Sequence, residues 1–325
     1  MDAKITKKRL THLLSYDWLK IVGLALAVIL VWSLIFTMTA TRIRPSQQFT
    51  VFNHQANAAL SDKFSDDYYR TLKKGVYSYE VIEANLNDIA STPDYASTLY
   101  EARLGTDEGD IIFVPNVSDP SSKQTIEGET TYKYSYVETF MRGYARYIYD
   151  VDKYLSGLEA YLNGFYDGGY QTGTINAQKV ETAFRARAKA NNDKRFKKEY
   201  EIKKGVADDI ARIQKYRDGL MRLYELMGEG YIEYIPVTLT KEDYGIDLQG
   251  NFALNICPDE SKVEKMRERV RYYKTVVEND KETQVLTSEN MCVMFFNLPG
   301  VEDGFQYESV LYLVDFVESC FTENA

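Results

Sequence analysis

Residues 21–40 read IVGLALAVILVWSLIFTMTA, twenty in a row without a charge. As a helix rising about 1.5 Å per residue they reach about 30 Å, the thickness of a bilayer's hydrocarbon core. A buried core helix, a cleaved signal and a retained anchor all accommodate such a run. Its length, and the poor small-x-small pattern at Met38 and Ala40, argue against cleavage. A retained single-pass anchor is therefore the expectation, with the lipid bilayer as the partner of residues 21–40. Lys4, Lys7, Lys8, Arg9 and Lys20 precede the run, whereas Arg42 and Arg44 follow it. The positive-inside rule then makes residues 1–20 a basic cytoplasmic tail and places the chain beyond residue 44 outside, at the cell surface.

That division changes the meaning of the charge. The 325 residues carry 39 Lys and Arg against 48 Asp and Glu, a net of −9. Beyond residue 44 the tally is 32 against 46, a net of −14. So acidic a domain is held off an anionic leaflet and is a poor match for nucleic acid, which is excluded as a partner. Hydrophobic residues make up 45% of the chain, enough for a sizeable core. Cys257, Cys292 and Cys320 are widely spaced; one disulfide could form, but no pair is singled out, and Cys292 and Cys320 read first as small core residues. With His12 and His54 the only histidines, neither a metal site nor a cofactor is expected. There is no G-x-S-x-G, Walker loop or H-E-x-x-H. The adjacent carboxylates Asp66–Asp67 and Asp208–Asp209 would diverge on a helix, so the chain reads as non-catalytic.

The outer part opens in alternation. FTVFN (49–53) reads as a strand, and Leu60, Phe64, Tyr68 and Leu72 mark one helical face over 57–73. YSYEVIEAN (77–85) alternates as a second strand. A helix stripe then runs from Tyr95 to Leu104, and IIFVP (111–115) suits a strand buried on both faces. This β-α-β-α-β order predicts a parallel sheet covered by helices. Residues 116–130 read as a polar loop. Val137 to Leu162 predict one long helix, and 177–227 a second helical region broken near Asn191–Asn192 and Gly205. A strand at 231–235 stops before Pro236; strands at 252–256 and 292–298 and helices at 261–278 and 307–321 complete the chain. The expected layout is an α/β lobe over 45–130, a mainly helical region over 131–230 and an α/β region over 231–325 that completes the fold.

The ordered set FTVFN (49–53), DKFSDDYYRTLKKG (62–75), YEVIEAN (79–85) and ARLGTDEGDIIFVPN (102–116) resembles the first lobe of the extracellular solute-binding proteins of ABC importers, in their sugar-type, mixed-sheet branch. DYGIDLQG (243–250) echoes a further segment of that family loosely. The resemblance implies a periplasmic-binding-protein-like region, a small polar or carbohydrate ligand and an importer permease or other surface protein as partner. This chain departs from the pattern in its helical anchor, and in the long helical stretch where a second lobe would stand, as an insertion or a reduced lobe.

In an open parallel sheet, ligands bind beyond the carboxyl ends of the strands. On the expected strands those ends place Asn53, His54, Asn85, Pro115 and Asn116 at a candidate site. Asparagine offers both donor and acceptor to a hydroxyl-rich solute, and equally serves as an ordinary turn former. Tyrosine is abundant, at 27 residues. Its rings stack on sugars, yet the helical spacing of Tyr144 and its neighbours suits packing as well. Residues 185–204 hold nine Lys and Arg against three acids, either a docking face for an anionic partner or a solvated helix face. The alternative to ligand capture is a non-catalytic surface scaffold that uses the long helices as its contact face.

Overall fold

The computed structural model describes residues 11, 18–39, 47–60, 76–78, 81, 83–126, 129–245, 247–278, 281–299 and 304–321. Trp18–Thr39 form one unbroken helix, α1, whose described side chains are all exposed. Among the described residues it is the one helix long and apolar enough to cross a membrane, and it fits a membrane anchor or a signal sequence.

Pro45–Ala325 form a separate compact unit of mixed α/β structure. Its strands are β1 (Gln48–Asn53), β2 (Glu83–Asp88), β3 (Ile111–Pro115), β4 (Lys123–Ile126), β5 (Glu129–Tyr132), β6 (Tyr166–Asp167), β7 (Thr174–Ile175), β8 (Glu233–Leu239), β9 (Leu248–Asn255), β10 (Tyr272–Glu278), β11 (Lys281–Thr287) and β12 (Met291–Phe295). Six of them make one sheet in the order β2-β1-β3-β12-β9-β8. The first three run parallel; β12 pairs antiparallel with both β3 and β9, and β8 closes the far edge. Segments 45–130 and 231–325 thus share a single sheet.

Helices cover both faces. Along β3, Ile111 and Phe113 point into one cluster and Ile112 and Val114 into the other, all fully buried. Strand β12 repeats the division with Val293 and Phe295 against Cys292 and Met294. This is the period of two expected of strands buried on both sides. On the second face lie α2 (Ala96–Leu104) and α3 (Tyr136–Tyr144); on the first lie α4 (Val151–Phe165), α6 (Glu199–Gly228) and α7 (Glu308–Glu318), with α5 (Ala177–Ala190) against α6.

Several expectations need correction. The second strand begins at Glu83 rather than residue 77, because Tyr77 and Val81 fill the core off the sheet, Tyr77 against Phe49 and Tyr312. Of the helix expected over 57–73, residues 61–73 lie outside the described residues, and 57–60 are irregular. The single helix from Val137 to Leu162 is two. Ile148 leaves the helical path to bridge Phe296, and the Asp150 carboxylate restarts the helix by accepting from the Lys153 N–H at 3.2 Å. Within 116–130, β4 pairs with β5 where a loop was expected. Pro236 sits inside β8, at a register shift on an edge strand, where its missing N–H costs no ladder bond. Residues 261–278 form a short helical turn at Met266–Arg269 and then β10, not one helix.

The break expected at Gly205 is absent, for a packing reason. A Cβ built at Gly205 would lie 2.2 Å from Phe184 Cζ and 2.8 Å from Phe196 Cε1. The two rings meet edge to face at 4.8 Å and occupy the space a side chain would need. Gly205→Ala would gain about 1 kcal/mol of helix propensity and lose roughly 1–3 kcal/mol to overpacking. The clash wins, so a lower urea midpoint is expected; an unchanged or higher midpoint would show that the rings move aside freely.

All three cysteines are buried free thiols. The sheet separates them, with Cys257 and Cys320 in the first cluster and Cys292 in the second. Burial pushes the Cys257 and Cys320 thiols up to about 12, which keeps them protonated and unreactive.

Candidate functional site

The parallel half of the sheet carries β2 and β3 on opposite sides of β1, so the connections leaving β1 and β3 diverge. Such a switch point opens a crevice at the carboxyl ends of the strands. The five residues expected there have different fates.

Asn53 ends β1 and is fully buried. Its amide donates to Asp88 Oδ1 at 2.6 Å and to the Ala58 carbonyl at 3.2 Å. Asn57 donates to Asn53 Oδ1 at 2.7 Å and to the Phe113 carbonyl at 2.9 Å. Asp88 Oδ2 accepts from the Leu60 N–H at 3.2 Å and from Ser91 Oγ at 2.5 Å. Asn53, Asn57 and Asp88 therefore latch the segment after β1 onto β2 and β3. His54 is closed in by Tyr100, Tyr136 and Phe140. Its Nδ1 accepts from the Ala56 N–H at 3.1 Å. Burial lowers the imidazole to about 3, against a partial upward pull from Asp119, so the ring is neutral at physiological pH.

Asn85 is not at a strand end; it sits mid-strand in β2 opposite Thr50, because β2 runs on to Asp88. Pro115 is buried at the end of β3 and pairs with Met291. Asn116 follows it, half-buried, and its N–H donates to the Asn290 carbonyl at 2.8 Å. Of the five, only Asn116 reaches the open surface feature at this end of the sheet.

That feature is a groove of about 720 Å³, inside the range of roughly 300–1,000 Å³ usual for small-molecule sites. Residues 116–118, 120, 132–136 and 138 form one wall and residues 272–275 of β10 the other. Five tyrosines line it: Tyr132, Tyr134, Tyr136, Tyr272 and Tyr273. Tyr272 is buried and anchored, its hydroxyl donating to the Glu289 carbonyl at 2.8 Å, whereas Tyr273 is 57% exposed and Tyr132 is 45% exposed. Burial pushes the Tyr136 hydroxyl up to about 12, aided by the carboxylate of Asp119. Lys133 Nζ lies 5.1 Å from the centre of the Tyr134 ring, and Lys274 Nζ pairs with Glu289 at 2.6 Å. The wall is rigid where α3 starts: Ser135 Oγ accepts from the Glu138 N–H at 3.2 Å, while the Ser135 N–H donates to Glu138 Oε2 at 2.8 Å.

The tyrosines were visible in the sequence as TYKYSY (131–136) and YYK (272–274). Each segment is held by its own isolated bridge, Ser118 with Ser135 and Asn57 with Tyr272, pairings of distant residues that no local spacing shows. Chemically, the groove offers flat apolar rings edged by hydroxyls and ammonium groups. No family model, curated protein or solved structure matches the chain.

Proposed function

We propose that the protein is a membrane-anchored surface receptor that captures a small polar or carbohydrate ligand in the tyrosine-lined groove. In this reading α1 is retained in the bilayer, the N-terminus is cytoplasmic and the unit from residue 45 is extracellular. The observation that carries the proposal is the position of the groove: beyond the carboxyl end of β3, the strand beside β1 in the parallel half of the sheet, with tyrosine rings on both walls. The mixed sheet, with a parallel start and an antiparallel strand from late in the chain, supports the likeness to the solute-binding proteins of ABC importers. An importer permease is the partner that this likeness suggests.

The scaffold reading would need a contact face on the long helices, and its basic form would fall to the charged turn at residues 185–204; its apolar form finds no support. The apolar face of α6 is spent on the core, with Ile213, Tyr216, Leu220, Leu223 and Leu226 fully buried, which favours ligand capture.

The test is a thermal-shift screen of the full chain in nanodiscs against mono- and oligosaccharides and other polar solutes. At least one carbohydrate is expected to raise the unfolding temperature, and Tyr273→Ala, at an exposed wall position, is expected to weaken its binding roughly tenfold, in line with a stacking loss of about 1–1.5 kcal/mol. If no solute shifts the transition, or if Tyr273→Ala binds as well as the parent, this site is not the ligand's.

A further inference from the structure

The tip where α5 turns into α6 departs in charge from the rest of the unit. Residues 185–204 carry nine Lys and Arg against three acids, whereas the remainder of 45–325 carries 23 against 43. The turn is folded back by the Phe184–Phe196 contact over Gly205. The arginines are already engaged. Arg185 pairs with Glu181 and Glu199 at 2.7 and 2.5 Å, Arg187 with Asp209 at 3.0 Å, and Arg195 with Asp193 at 2.7 Å. Two of the three local acids are thereby used. The third, Glu201, accepts the N–H groups of Lys197 and Lys198 at 3.1 and 2.8 Å and the Tyr200 hydroxyl at 3.0 Å.

Lys189, Lys194, Lys197, Lys198, Lys203 and Lys204 remain. All six are exposed, and none forms an ion pair among the described residues. Tyr200 stands among them at 65% exposure. A solvated helix face would balance such lysines one for one with acids at neighbouring positions; here three acids face nine cations, and they are bonded first to arginines and backbone, with only a weaker attraction left for Lys203 and Lys198. None of the six lines the tyrosine groove.

We propose that this tip docks on an anionic lipid surface. Six ammonium groups without an ion pair among the described residues, Lys198 resting 5.7 Å from the centre of the Tyr200 ring, are spread over a helix–helix turn rather than along a groove and fit a plane of headgroups better than a single polymer strand. An exposed tyrosine, apolar in body and polar at its end, suits the headgroup boundary. Each lysine near an anionic surface strengthens binding about fivefold, so the tip is attracted while the acidic remainder is repelled. The docked unit is therefore oriented tip-down. With α1 inserted in the same bilayer, docking becomes intramolecular and needs little intrinsic affinity. This inference rests on the reading of α1 as a retained anchor, and it is independent of the ligand proposed for the groove.

The test places the full chain in nanodiscs of phosphatidylcholine, with or without phosphatidylglycerol, and follows lysine acetylation by mass spectrometry. With phosphatidylglycerol, the six tip lysines are expected to react about tenfold more slowly, while exposed Lys153 and Lys241 keep their rates. High salt should erase the difference. Lys197→Glu with Lys198→Glu, at exposed positions, should weaken docking at least about thirtyfold and release the other four without lowering the unfolding temperature. Equal rates in the two discs, or protection that survives the double substitution, would overturn the proposal. So would equal protection by soluble polyphosphate in neutral discs, which would assign the tip to a soluble polyanion.

Discussion

Arg212→Met is expected to cost about 3 kcal/mol of stability, the lower end of the range for breaking a buried ion pair. The Arg212 side chain is fully buried. Its Nε donates to Asp209 Oδ1 at 3.0 Å, its Nη2 lies 2.7 Å from the same oxygen and donates to the Tyr161 hydroxyl at 3.0 Å, and its guanidinium centre sits 4.2 Å from the middle of the Phe305 ring. Methionine fills much of that space but leaves the Asp209 carboxylate, 1% exposed, with Arg187 as its remaining cation. Because Arg187 is 23% exposed and holds Asp209 at 3.0 Å, the loss stays below the upper end of the range, near 5 kcal/mol. Replacing both partners, Arg212→Met with Asp209→Leu, removes the stranded charge and should recover most of the loss, since Arg187 can turn to water. Urea midpoints of the three variants decide it. A single-variant loss under about 1 kcal/mol would show that the pair contributes little beyond packing.

The second large effect is in the pH dependence, where buried His54 and half-buried Asp110 pull in opposite directions. His54 has a folded value of about 3 against 6.5. The unfolded chain therefore takes up the proton first, and the stability from the neutral ring, complete above 6.5, is lost as pH falls towards 3, at about 1.4 kcal/mol per unit. Asp110 is the reverse. Burial raises it from 3.8 to about 7, against the Thr50 N–H that donates to its Oδ2 at 2.6 Å and with a further push from Glu308. Its contribution is complete below 3.8 and is lost as pH rises through 7. Between 3.8 and 6.5 the two slopes largely cancel. Glu308, buried and raised in the same direction, adds to the alkaline loss.

Asp110→Asn keeps an acceptor for Thr50 and removes the charge. It should change stability little at pH 4 and raise it by up to roughly 4 kcal/mol at pH 8, exposing the His54 slope between. His54→Asn should do the opposite and leave stability falling with pH across the same window. Urea midpoints across this range are the measurement; variant curves that run parallel to the parent's would rule out titration at these two groups.

Legibility in the sequence followed burial. Strands β1 and β3 were readable because almost every residue in them is buried, so their apolar runs cannot be mistaken for surface. Strand β2, EANLND, was not: it is an edge strand, half-buried throughout, made of residues with poor strand propensity. In β10, exposed Tyr273, Lys274 and Thr275 leave no alternating pattern, and the buried Val263, Met266 and Val270 ahead of it mimic helical spacing. At the candidate site, short asparagines after strands were visible, but which of them keep free amides depended on Asp88, one strand away. Asn53 could not be separated from Asn116 until that partner was placed.

The position of β12 has a bearing on how the chain reaches its folded state. This central strand joins β3 to β9, yet it is synthesised after the other five strands of the sheet. Until it arrives, β3 offers a bare edge of Ile111, Ile112, Phe113 and Val114 to any other extended chain. If residues beyond 44 are threaded across a membrane from the anchor onwards, the half-sheet emerges first and waits. A holding chaperone on the far side would have its longest engagement there, and truncations before Met291 should aggregate rather than fold in part.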